Sequence, residues 1–501
     1  MGSMGHVSGR HWQAPLTSSH GLGPFLAGWS IGLGSRPPVA GDSSGQHVTA
    51  CGQKSDRVTR ADRGLTTPES AYPISNQWLV EYMANPDVQA PKTANSDAGP
   101  GWRWPRARDG EFLVAGRPLS NVVDEVGGTP CYLYDRSRLA ERAGSLRAAL
   151  PREVLLHYAI KANPMPALAG FMRAHVDGFD VASAGELRVA LDAGIDREHV
   201  SFAGPGKQEA ELQRAQAAGI LVNLESFREI DILARASERN GTPARVAIRV
   251  NLPFELKASG MKMSGGAKQF GVDDDQVPAL LQRIAAAGLA FEGFHCFAGS
   301  QNLRAEAIVE AQQGSYELVR TWQDRFPAPL RSLNLGGGFG IPYSDRDRPL
   351  DLGPVAESLH ALAARAGGDF GPQARLVVEL GRYLVGEAGL YVCRVLDRKQ
   401  SRGKVFLVTD GGMHQHLAAS GNFGQVMRRN YPIAINGAGG LREKASVVGP
   451  LCTPLDLLGD DVELDHAEPG DLVVVFQSGA YGRSASPRQF LGHPDVAEAL
   501  V

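Results

Sequence analysis

In this sequence of 501 residues, three features lie at the ends of apolar runs: a lysine, a glycine run and a glutamate. Lys161 comes directly after VLLHYAI, Gly336–Gly340 comes after LNL, and Glu379 lies in LVVEL. A lysine beside an apolar strand is costly to bury, which suits an amine nucleophile that forms imines, although a lysine that reaches to the surface shows the same pattern. The backbone amides of a glycine run can approach phosphate closely, and a tight turn is the alternative interpretation.

The three features together match what pyridoxal phosphate requires of a protein. The lysine attaches the cofactor, the glycine turn holds its phosphate, and the acid keeps its ring nitrogen protonated. Other apolar runs also end in polar residues, and parallel barrel strands bring such ends to one rim. The sequence therefore predicts one site that includes further residues from these ends: Asp180, Ser183, Glu225, Ser226, Asn251, His295, Ser300 and Arg382.

Eight short apolar runs alternate with amphipathic segments between residues 151 and 385, which predicts an α/β fold, a (β/α)8 barrel like that of triosephosphate isomerase. The runs are Val154–Ile160, Gly178–Val181, Val200–Phe202, Ile220–Leu224, Val246–Val250, Phe291–Phe297, Leu333–Leu335 and Leu376–Leu380. Residues 386–501 contain strand-like runs without helices between them, which predicts an antiparallel β-sandwich or barrel domain. Residues 108–150 form a lead-in whose runs Phe112–Ala115 and Tyr132–Tyr134 we expect to join that domain. Residues 1–107 are predicted to be a mostly disordered or variable extension.

The composition excludes several functional classes. The net charge is −3, from 51 basic and 54 acidic residues, so no basic field favours nucleic acid or an anionic membrane. No apolar run is long enough to span a bilayer. The 5 cysteines are scattered without a CxxC pair, so we predict neither a disulfide framework nor a metal site, and a cytoplasmic location.

From about Asp109 to Pro494 the chain resembles the fold-type III pyridoxal-phosphate decarboxylases, the family of diaminopimelate decarboxylase and eukaryotic ornithine decarboxylase. Eight ordered motifs support the resemblance: GTPCYLYD (128–135), HYAIKANP (157–164), GFDVASAGEL (178–187), GSQ (299–301), GGGFG (336–340), ELGRYLV (379–385), GPLC (449–452) and GAYG (479–482). The resemblance implies an alanine racemase-like barrel with a β domain, pyridoxal 5′-phosphate as cofactor, and a homodimer with active sites at the subunit interface.

The resemblance also implies roles for individual residues. Lys161 would carry the cofactor, Glu379 would pair with its ring nitrogen, and Arg382 would meet a substrate carboxylate or the phosphate region. Cys452 would return a proton to Cα, reaching in from the partner subunit together with Tyr481. The phosphate would be held by Ser300, Gly337, Gly338 and Tyr481, while Asp180 also contacts the cofactor.

Two departures from the family pattern concern the cofactor ring and the substrate. Relatives usually stack a histidine on the ring where this chain has Phe297, and His295, on the same face of the strand, is expected to take over part of that role. Relatives also place an acid after the catalytic cysteine for the distal ammonium of the substrate, whereas Thr453 follows Cys452 here. Asp456 is the candidate to compensate. Loss of the acid argues against free lysine, ornithine or diaminopimelate.

The motifs FAGSQ, GNFGQVMRRNYPI and GPLCTPLDLLG are similar to a biosynthetic branch of the family. That branch includes the butirosin decarboxylase, which acts on a glutamyl group held on an acyl carrier protein, and exosortase-associated decarboxylases. Arg428 and Arg429 would bind a carboxylate or a carrier's phosphopantetheine, although a solvated basic turn explains them equally well. Together with Tyr431 they complete the predicted substrate-binding set.

The sequence thus predicts a homodimeric amino-acid decarboxylase that acts on a free or carrier-bound L- or D-amino acid. Glu379 favours decarboxylation, because alanine racemases, which share the barrel, place an arginine at that position. Three alternatives remain open: a racemase or epimerase, meso-diaminopimelate decarboxylase itself, and a catalytically silent regulator, against which the retention of Lys161, Glu379 and Cys452 argues.

Overall fold

The computed structural model describes residues 104–255, 261–423, 428–437 and 439–501. The predicted N-terminal extension spans residues 1–107, and residues 1–103 of it lie outside the described part of the chain. Within the described part, Trp104 is buried and packs in the core of the β domain beside Phe112. The described helices include none long and apolar enough to cross a membrane.

The lead-in segment contributes to the β domain only in part. Its elements are β1 (Leu113–Val114), β2 (Arg117–Pro118), α1 (Leu119–Glu125), β3 (Cys131–Tyr134) and α2 (Arg136–Ala149). The prediction for Tyr132–Tyr134 is confirmed, because β3 joins the large sheet. Phe112–Ala115 adds no strand to that sheet, because among the described strands β1 pairs with β2 alone, but Phe112 and Val114 pack in the core of the β domain. Ala115 and Gly116 have positive φ angles and turn the chain back at once.

A closed parallel barrel follows, as the sequence predicts. Its elements in order are β4 (Val154–Ala159), α3 (Pro166–Met172), β5 (Gly178–Val181), α4 (Ala184–Asp192), β6 (Val200–Phe202), α5 (Glu209–Ala218), β7 (Leu221–Leu224), α6 (Phe227–Asn240), β8 (Arg245–Asn251), β9 (Met261–Lys262), β10 (Val272–Asp273), α7 (Val277–Ala286), β11 (Ala290–Cys296), β12 (Gly299–Ser300), α8 (Ala305–Arg320), β13 (Ser332–Gly337), α9 (Gly353–Phe370), β14 (Arg375–Leu380) and α10 (Arg382–Val385). In the described part, eight parallel strands form the ring β4-β5-β6-β7-β8-β11-β13-β14, which closes by pairing β14 with β4.

The middle of the barrel interior is polar, whereas the interior of such barrels is usually filled with branched apolar side chains. Each barrel strand contributes one buried polar residue to this layer: His157, Asp180, Ser201, Asn223, Arg249, His295, Asn334 and Glu379. Most neighbours in the layer are in register or hydrogen-bonded, as for His157 with Glu379 and Asp180 with Ser201. Burying so many polar groups is costly unless they are paired. The layer therefore marks the part of the barrel that serves a site.

The second domain is a mostly antiparallel sheet, as predicted. Its strands are β15 (Gly389–Ser401), β16 (Lys404–Thr409), β17 (Ile433–Ile435), β18 (Arg442–Val448), β19 (Leu457–Asp465), β20 (Leu472–Val475) and β21 (Ala497–Leu500). The order is β17-β20-β15-β16-β18-β19, and β3 pairs with both β15 and β21. The pairs β16–β18 and β3–β21 are parallel, and the other pairs of this sheet are antiparallel.

Candidate active site at the mouth of the barrel

Lys161 lies in a single 3-10 turn, Ile160–Ala162, that ends β4. Hydrogen bonds fix this turn from both domains: Tyr481 N–H donates to the Ala162 carbonyl at 2.7 Å, and the Asn163 side chain donates to the Gly479 carbonyl at 3.0 Å. The backbone is therefore rigid while the lysine side chain projects into an open cavity, with its Nζ 5.4 Å from the centre of the Phe297 ring.

The charges around Lys161 favour its ammonium form. Its position deep in the barrel mouth lowers the pKa of the amine, but the nearby Glu379 carboxylate and Tyr481 outweigh that effect, so the net shift is upward. Because an amine must lose its proton before it attacks an aldehyde, attachment of an aldehyde at Lys161 requires the ammonium group to give up a proton first.

Glu379 is the buried acid opposite Lys161. Its Oε2 lies 2.9 Å from His295 Nε2 and accepts a hydrogen bond of 3.2 Å from the side-chain amide of Asn334. Burial opposes ionisation of Glu379, but the contact with His295 and the charge of Lys161 outweigh it and hold the pKa of the carboxyl group below its usual value. Glu379 is therefore an ionised carboxylate that lines the cavity.

The glycine turn after β13 packs against neighbouring backbone so closely that side chains do not fit. A Cβ on Gly337 would lie 1.8 Å from the Glu379 carbonyl, and one on Gly338 would lie 2.1 Å from the Gly299 carbonyl. Gly338 faces the cavity beside Ser300. This arrangement leaves backbone and a hydroxyl group, without bulky side chains, at one end of the cavity, as a phosphate requires.

Arg382 also lines the cavity, and aromatic side chains hold its guanidinium group. Its guanidinium donates to the Tyr343 hydroxyl at 2.5 Å and lies 4.7 Å from the centre of the Tyr481 ring. Tyr343 in turn packs on Tyr431, with ring centres 4.6 Å apart. Arg382 Nε is buried without a hydrogen-bond partner among the described residues, so this cation retains binding capacity for an anion.

Asp180 lies in the polar layer and is held on one side only. Its Oδ1 accepts from Ser201 Oγ at 2.5 Å and lies 3.2 Å from His157 Nδ1. Its Oδ2 has no hydrogen-bond partner among the described residues. It does not line the cavity directly.

The structure brings together seven of the residues predicted for the site, and this arrangement fits pyridoxal phosphate. The cavity lining includes Lys161, Phe297, Ser300, Gly338, Glu379, Arg382 and Tyr481. An amine, an ionised acid and a glycine turn lie around one space, and the tight packing of the turn leaves no side chain to block a phosphate. When bound, the cofactor supplies an aldehyde for the lysine and a ring that accepts the electrons left by departing carbon dioxide.

Several predicted residues lie elsewhere. Tyr481 belongs to the cavity of its own chain, so the prediction that it reaches in from the partner subunit is wrong: its backbone is hydrogen-bonded beside Lys161. His295 does not stack on a ring in the cavity, because it is buried in β11 against Glu379. Gly337 packs beneath Gly338 and does not line the cavity.

The loop that contains Cys452 does not reach the cavity of its own chain, and Cys452 is exposed. Asp456 is buried beneath this loop, where its two oxygens accept from the Met413 and Leu451 amides at 2.6 and 2.8 Å. The prediction that Asp456 replaces the missing acid is therefore wrong: it fixes the loop. Thr453 Oγ1 accepts from the next turn of the loop, at Leu455.

The two arginines near residue 430 are held outside the cavity. Arg428 donates to the Leu457 carbonyl at 3.1 Å, and Arg429 lies 3.7 Å from the Asp347 carboxylate. Because Asp347 belongs to the same segment as Tyr343, Arg429 lies close to the residues that hold Arg382.

Sequence reasoning missed two residues of the site. Asn334 and Tyr343 have no counterpart among the predictions, although each contacts a predicted residue directly. The signal for Asn334 was a polar residue within the apolar run LNL before the glycines. Tyr343 lies three residues beyond the glycine run, where no sequence pattern indicates its contact with Arg382.

Comparison with known proteins supports the same chemistry. A family model described as "Pyridoxal-dependent decarboxylase, pyridoxal binding domain" matches residues 136–386. The L-glutamyl-[BtrI acyl-carrier protein] decarboxylase of Niallia circulans is 40% identical over 379 residues, which cover 74% of this chain and 88% of that protein. The diaminopimelate decarboxylase of Aquifex aeolicus is 32% identical over 401 residues, which cover 79% of this chain and 91% of that protein.

Solved structures agree with these relatives. The diaminopimelate decarboxylase from "m. jannaschii", in complex with L-lysine, superposes with a TM-score of 0.70 at 25% identity, covering 79% of this chain and 92% of that chain. The Helicobacter pylori enzyme complexed with L-lysine has a TM-score of 0.68 at 27% identity, covering 76% and 94%. The chain therefore belongs to the pyridoxal-dependent decarboxylase family, and it is a fold-type III carboxy-lyase that uses pyridoxal phosphate to decarboxylate an amino acid.

Proposed function

We propose that the substrate is an amino acid without a free distal ammonium, delivered as a glutamyl group on an acyl carrier protein. One observation supports this most directly: the Cys452 loop offers no free carboxylate, because Thr453 follows the cysteine and both oxygens of Asp456 are occupied by backbone amides. A distal ammonium buried against this loop would lack a counter-charge, which is unfavourable in a desolvated pocket.

The relative from Niallia circulans supports the carrier. Its name describes a decarboxylase of a carrier-bound glutamyl group, and it shares 40% identity with this chain. An amide- or thioester-linked distal group is uncharged and so requires no acid in the loop. We assign the α-carboxylate to Arg382 in the cavity, with Tyr481 beside it, and the carrier's phosphate to Arg428 and Arg429 outside the cavity, with Tyr431 next to them in the chain.

We assign the cofactor contacts as follows. Lys161 attaches the aldehyde, Glu379 accepts a hydrogen bond from the ring nitrogen, and Phe297 packs on the ring face. Asp180 supports the lysine end of the cavity through its charge. The phosphate is held by Ser300, Gly338 and Tyr481, and Gly337 shapes the glycine turn behind them without lining the cavity.

The substrate proposal is tested by incubating the holoenzyme with free glutamate, lysine, ornithine, diaminopimelate and a glutamyl-carrier protein. Loss of carbon dioxide is followed by mass spectrometry of each product, with chiral analysis to detect racemisation. We expect turnover of the carrier-bound glutamyl group alone. Turnover of diaminopimelate alone would show that the missing acid does not decide specificity.

A loop variant sharpens this test. Thr453→Asp restores an acid next to Cys452, and we expect it to raise kcat/KM for diaminopimelate or lysine about tenfold or more, as one charge-assisted contact allows. Thr453→Ser, which keeps the hydroxyl group, is the matched control and should leave the substrate preference unchanged. No gain from the acid would contradict the role assigned to this position.

We also propose a homodimer in which Cys452 of one subunit returns the proton to Cα in the site of the other. The support is that Cys452 is exposed and does not line the cavity of its own chain. Mixing Lys161→Ala with Cys452→Ala dimers should restore about one quarter of the wild-type activity, since half of the random dimers are mixed and each has one intact site. Absence of restored activity, with mixed dimers detected by native mass spectrometry, would place Cys452 outside the shared site.

The four described cysteines are all free thiols. We propose on this basis that the enzyme works in a reducing, cytoplasmic environment. Activity that is equal with and without a thiol reductant, and fractionation of the protein away from the cytoplasm, would argue against it.

A further inference from the structure

His295 and Glu379 form a buried pair whose protonation the surrounding contacts define. The two side chains are 1% and 6% exposed, and His295 Nε2 lies 2.9 Å from Glu379 Oε2. The other ring nitrogen, Nδ1, is buried and has no hydrogen-bond partner among the described residues. One ring nitrogen of His295 therefore contacts Glu379 closely, and the other has no partner among the described residues.

An ionised carboxylate can only accept a hydrogen bond, so the proton of the contact belongs to His295 Nε2. A cationic imidazole would carry a second N–H on Nδ1, which would be buried without an acceptor among the described residues, an unfavourable arrangement for a charged donor. A neutral imidazole leaves only a lone pair unsatisfied at Nδ1. The contacts thus favour the neutral ring protonated at Nε2.

The neighbours of His295 on both adjacent strands point the same way. Arg249 is in register with His295 on β8, and its guanidinium group is a donor already paired with the Glu225 carboxylate at 2.9 Å, so it offers no acceptor to a second N–H of the imidazole. Asn334 is in register on β13 and is neutral. The Asn334 amide is itself oriented, because its Oδ1 accepts from Gly336 N at 2.8 Å while its Nδ2 donates to Glu379 Oε2.

Two neutral donors therefore hold Oε2 of Glu379, and neither contact uses Oε1. We propose that His295 is a positioning residue that acts as a neutral Nε2–H donor and orients Glu379 without compensating its negative charge. The ring nitrogen of the cofactor then meets a full carboxylate charge, which stabilises a protonated ring. This inference deepens the proposed function and rests on the assignment of Glu379 to the ring nitrogen.

The tautomer is tested directly by NMR of holoenzyme labelled with ¹⁵N-histidine, with the His295 signals assigned by their loss in His295→Gln. We expect one protonated and one unprotonated nitrogen in wild type between pH 6 and pH 8. Two protonated nitrogens would overturn the inference without any reliance on a variant's activity.

The effect on the cofactor is tested with pyridoxal phosphate labelled at its ring nitrogen. His295→Leu removes the donor and should reduce the protonated fraction of the ring and lower kcat about tenfold or more, with a smaller change in KM. His295→Gln keeps an uncharged N–H donor and should restore much of both signals. His175→Gln, at a half-buried histidine that packs on Phe171 outside the polar layer, is the control and should leave the ring-nitrogen shift unchanged.

The outcomes separate the two proposals. An unprotonated ring nitrogen in wild type would overturn the role of Glu379 and with it this inference. A ring that is protonated equally in wild type and in His295→Leu would overturn the role of His295 alone. If His295→Leu fails to fold, His295→Gln and the wild-type tautomer still decide the question.

Discussion

Replacing Gly338 by alanine should weaken cofactor binding through a backbone clash at the phosphate end of the cavity. Gly338 has φ +82°, and an added Cβ would lie 2.1 Å from the Gly299 carbonyl oxygen. Gly403, in the hairpin between β15 and β16, has φ +83° with nothing within 4 Å of the same added atom. The two variants share the backbone strain, so their difference isolates the clash.

The expected losses of unfolding free energy follow from the backbone strain and from the clash. An alanine with positive φ costs about 1–2 kcal/mol in either variant. Gly338→Ala also forces the Gly299 carbonyl to move, at a further cost of about 1–3 kcal/mol, and displaces Ser300 next to it. We therefore expect Gly403→Ala to lose about 1–2 kcal/mol of unfolding free energy and Gly338→Ala about 2–5 kcal/mol.

Two assays separate stability from binding. Urea unfolding of the apoenzyme gives the free energies, and titration of the apoenzyme with pyridoxal phosphate, followed by absorbance, gives the affinity. Gly338→Ala should bind the cofactor at least about tenfold more weakly, equivalent to about 1.4 kcal/mol, while Gly403→Ala binds normally. Equal stability losses and wild-type affinity in both variants would refute the reasoning from close packing.

Three further predictions concern buried polar groups. Burial lowers the pKa of His416 to about 3 from an ordinary 6.5, so its contribution to stability is complete above pH 6.5 and is lost as the pH falls; urea unfolding should show that wild type loses about 2 kcal/mol more between pH 7 and pH 5 than His416→Gln. Tyr343→Phe removes an acceptor from the Arg382 guanidinium and should lower the unfolding free energy by about 1.5–3 kcal/mol, whereas no change would mean that water replaces the phenol. Lys207 and Glu229 pair at 2.9 Å with both side chains 1% exposed, so Lys207→Met should cost about 3–5 kcal/mol and Lys207→Met with Glu229→Leu much less; equal losses would contradict the pairing argument.

The barrel could be predicted because its strands are buried on both faces and therefore appear as short continuous apolar runs. VLLHYAI and LVVEL are of this kind, and both are strands in the structure. Strands β19 and β21 are not apparent as apolar runs, because their sequences, LLGDDVELD and AEAL, alternate or lack apolar residues: β19 is partly exposed, and β21 pairs with β3.

The site could be predicted in outline because Lys161, the glycine turn and Glu379 lie in or directly after strands that the sequence reveals. Contacts between residues far apart in the chain could not be predicted in this way. His295 and Glu379 are 84 positions apart and meet only through the register of three strands. The role of Asp456 could not be predicted for a different reason. Its carboxylate accepts hydrogen bonds from nearby backbone amides of the loop, and the pattern of side chains does not show where backbone amides lie.

The pairing of β3 with β21 has a consequence for biosynthesis of the enzyme. Residues 131–134 and 497–500 lie side by side in one sheet, and the amide of Val501 donates to the Tyr134 carbonyl. A ribosome must therefore translate more than 360 residues after β3 before that strand gains its second neighbour. Until then one edge of β3 stays open to other chains, so a tag or truncation near residue 500 should affect solubility during expression more than it affects catalysis in the finished enzyme.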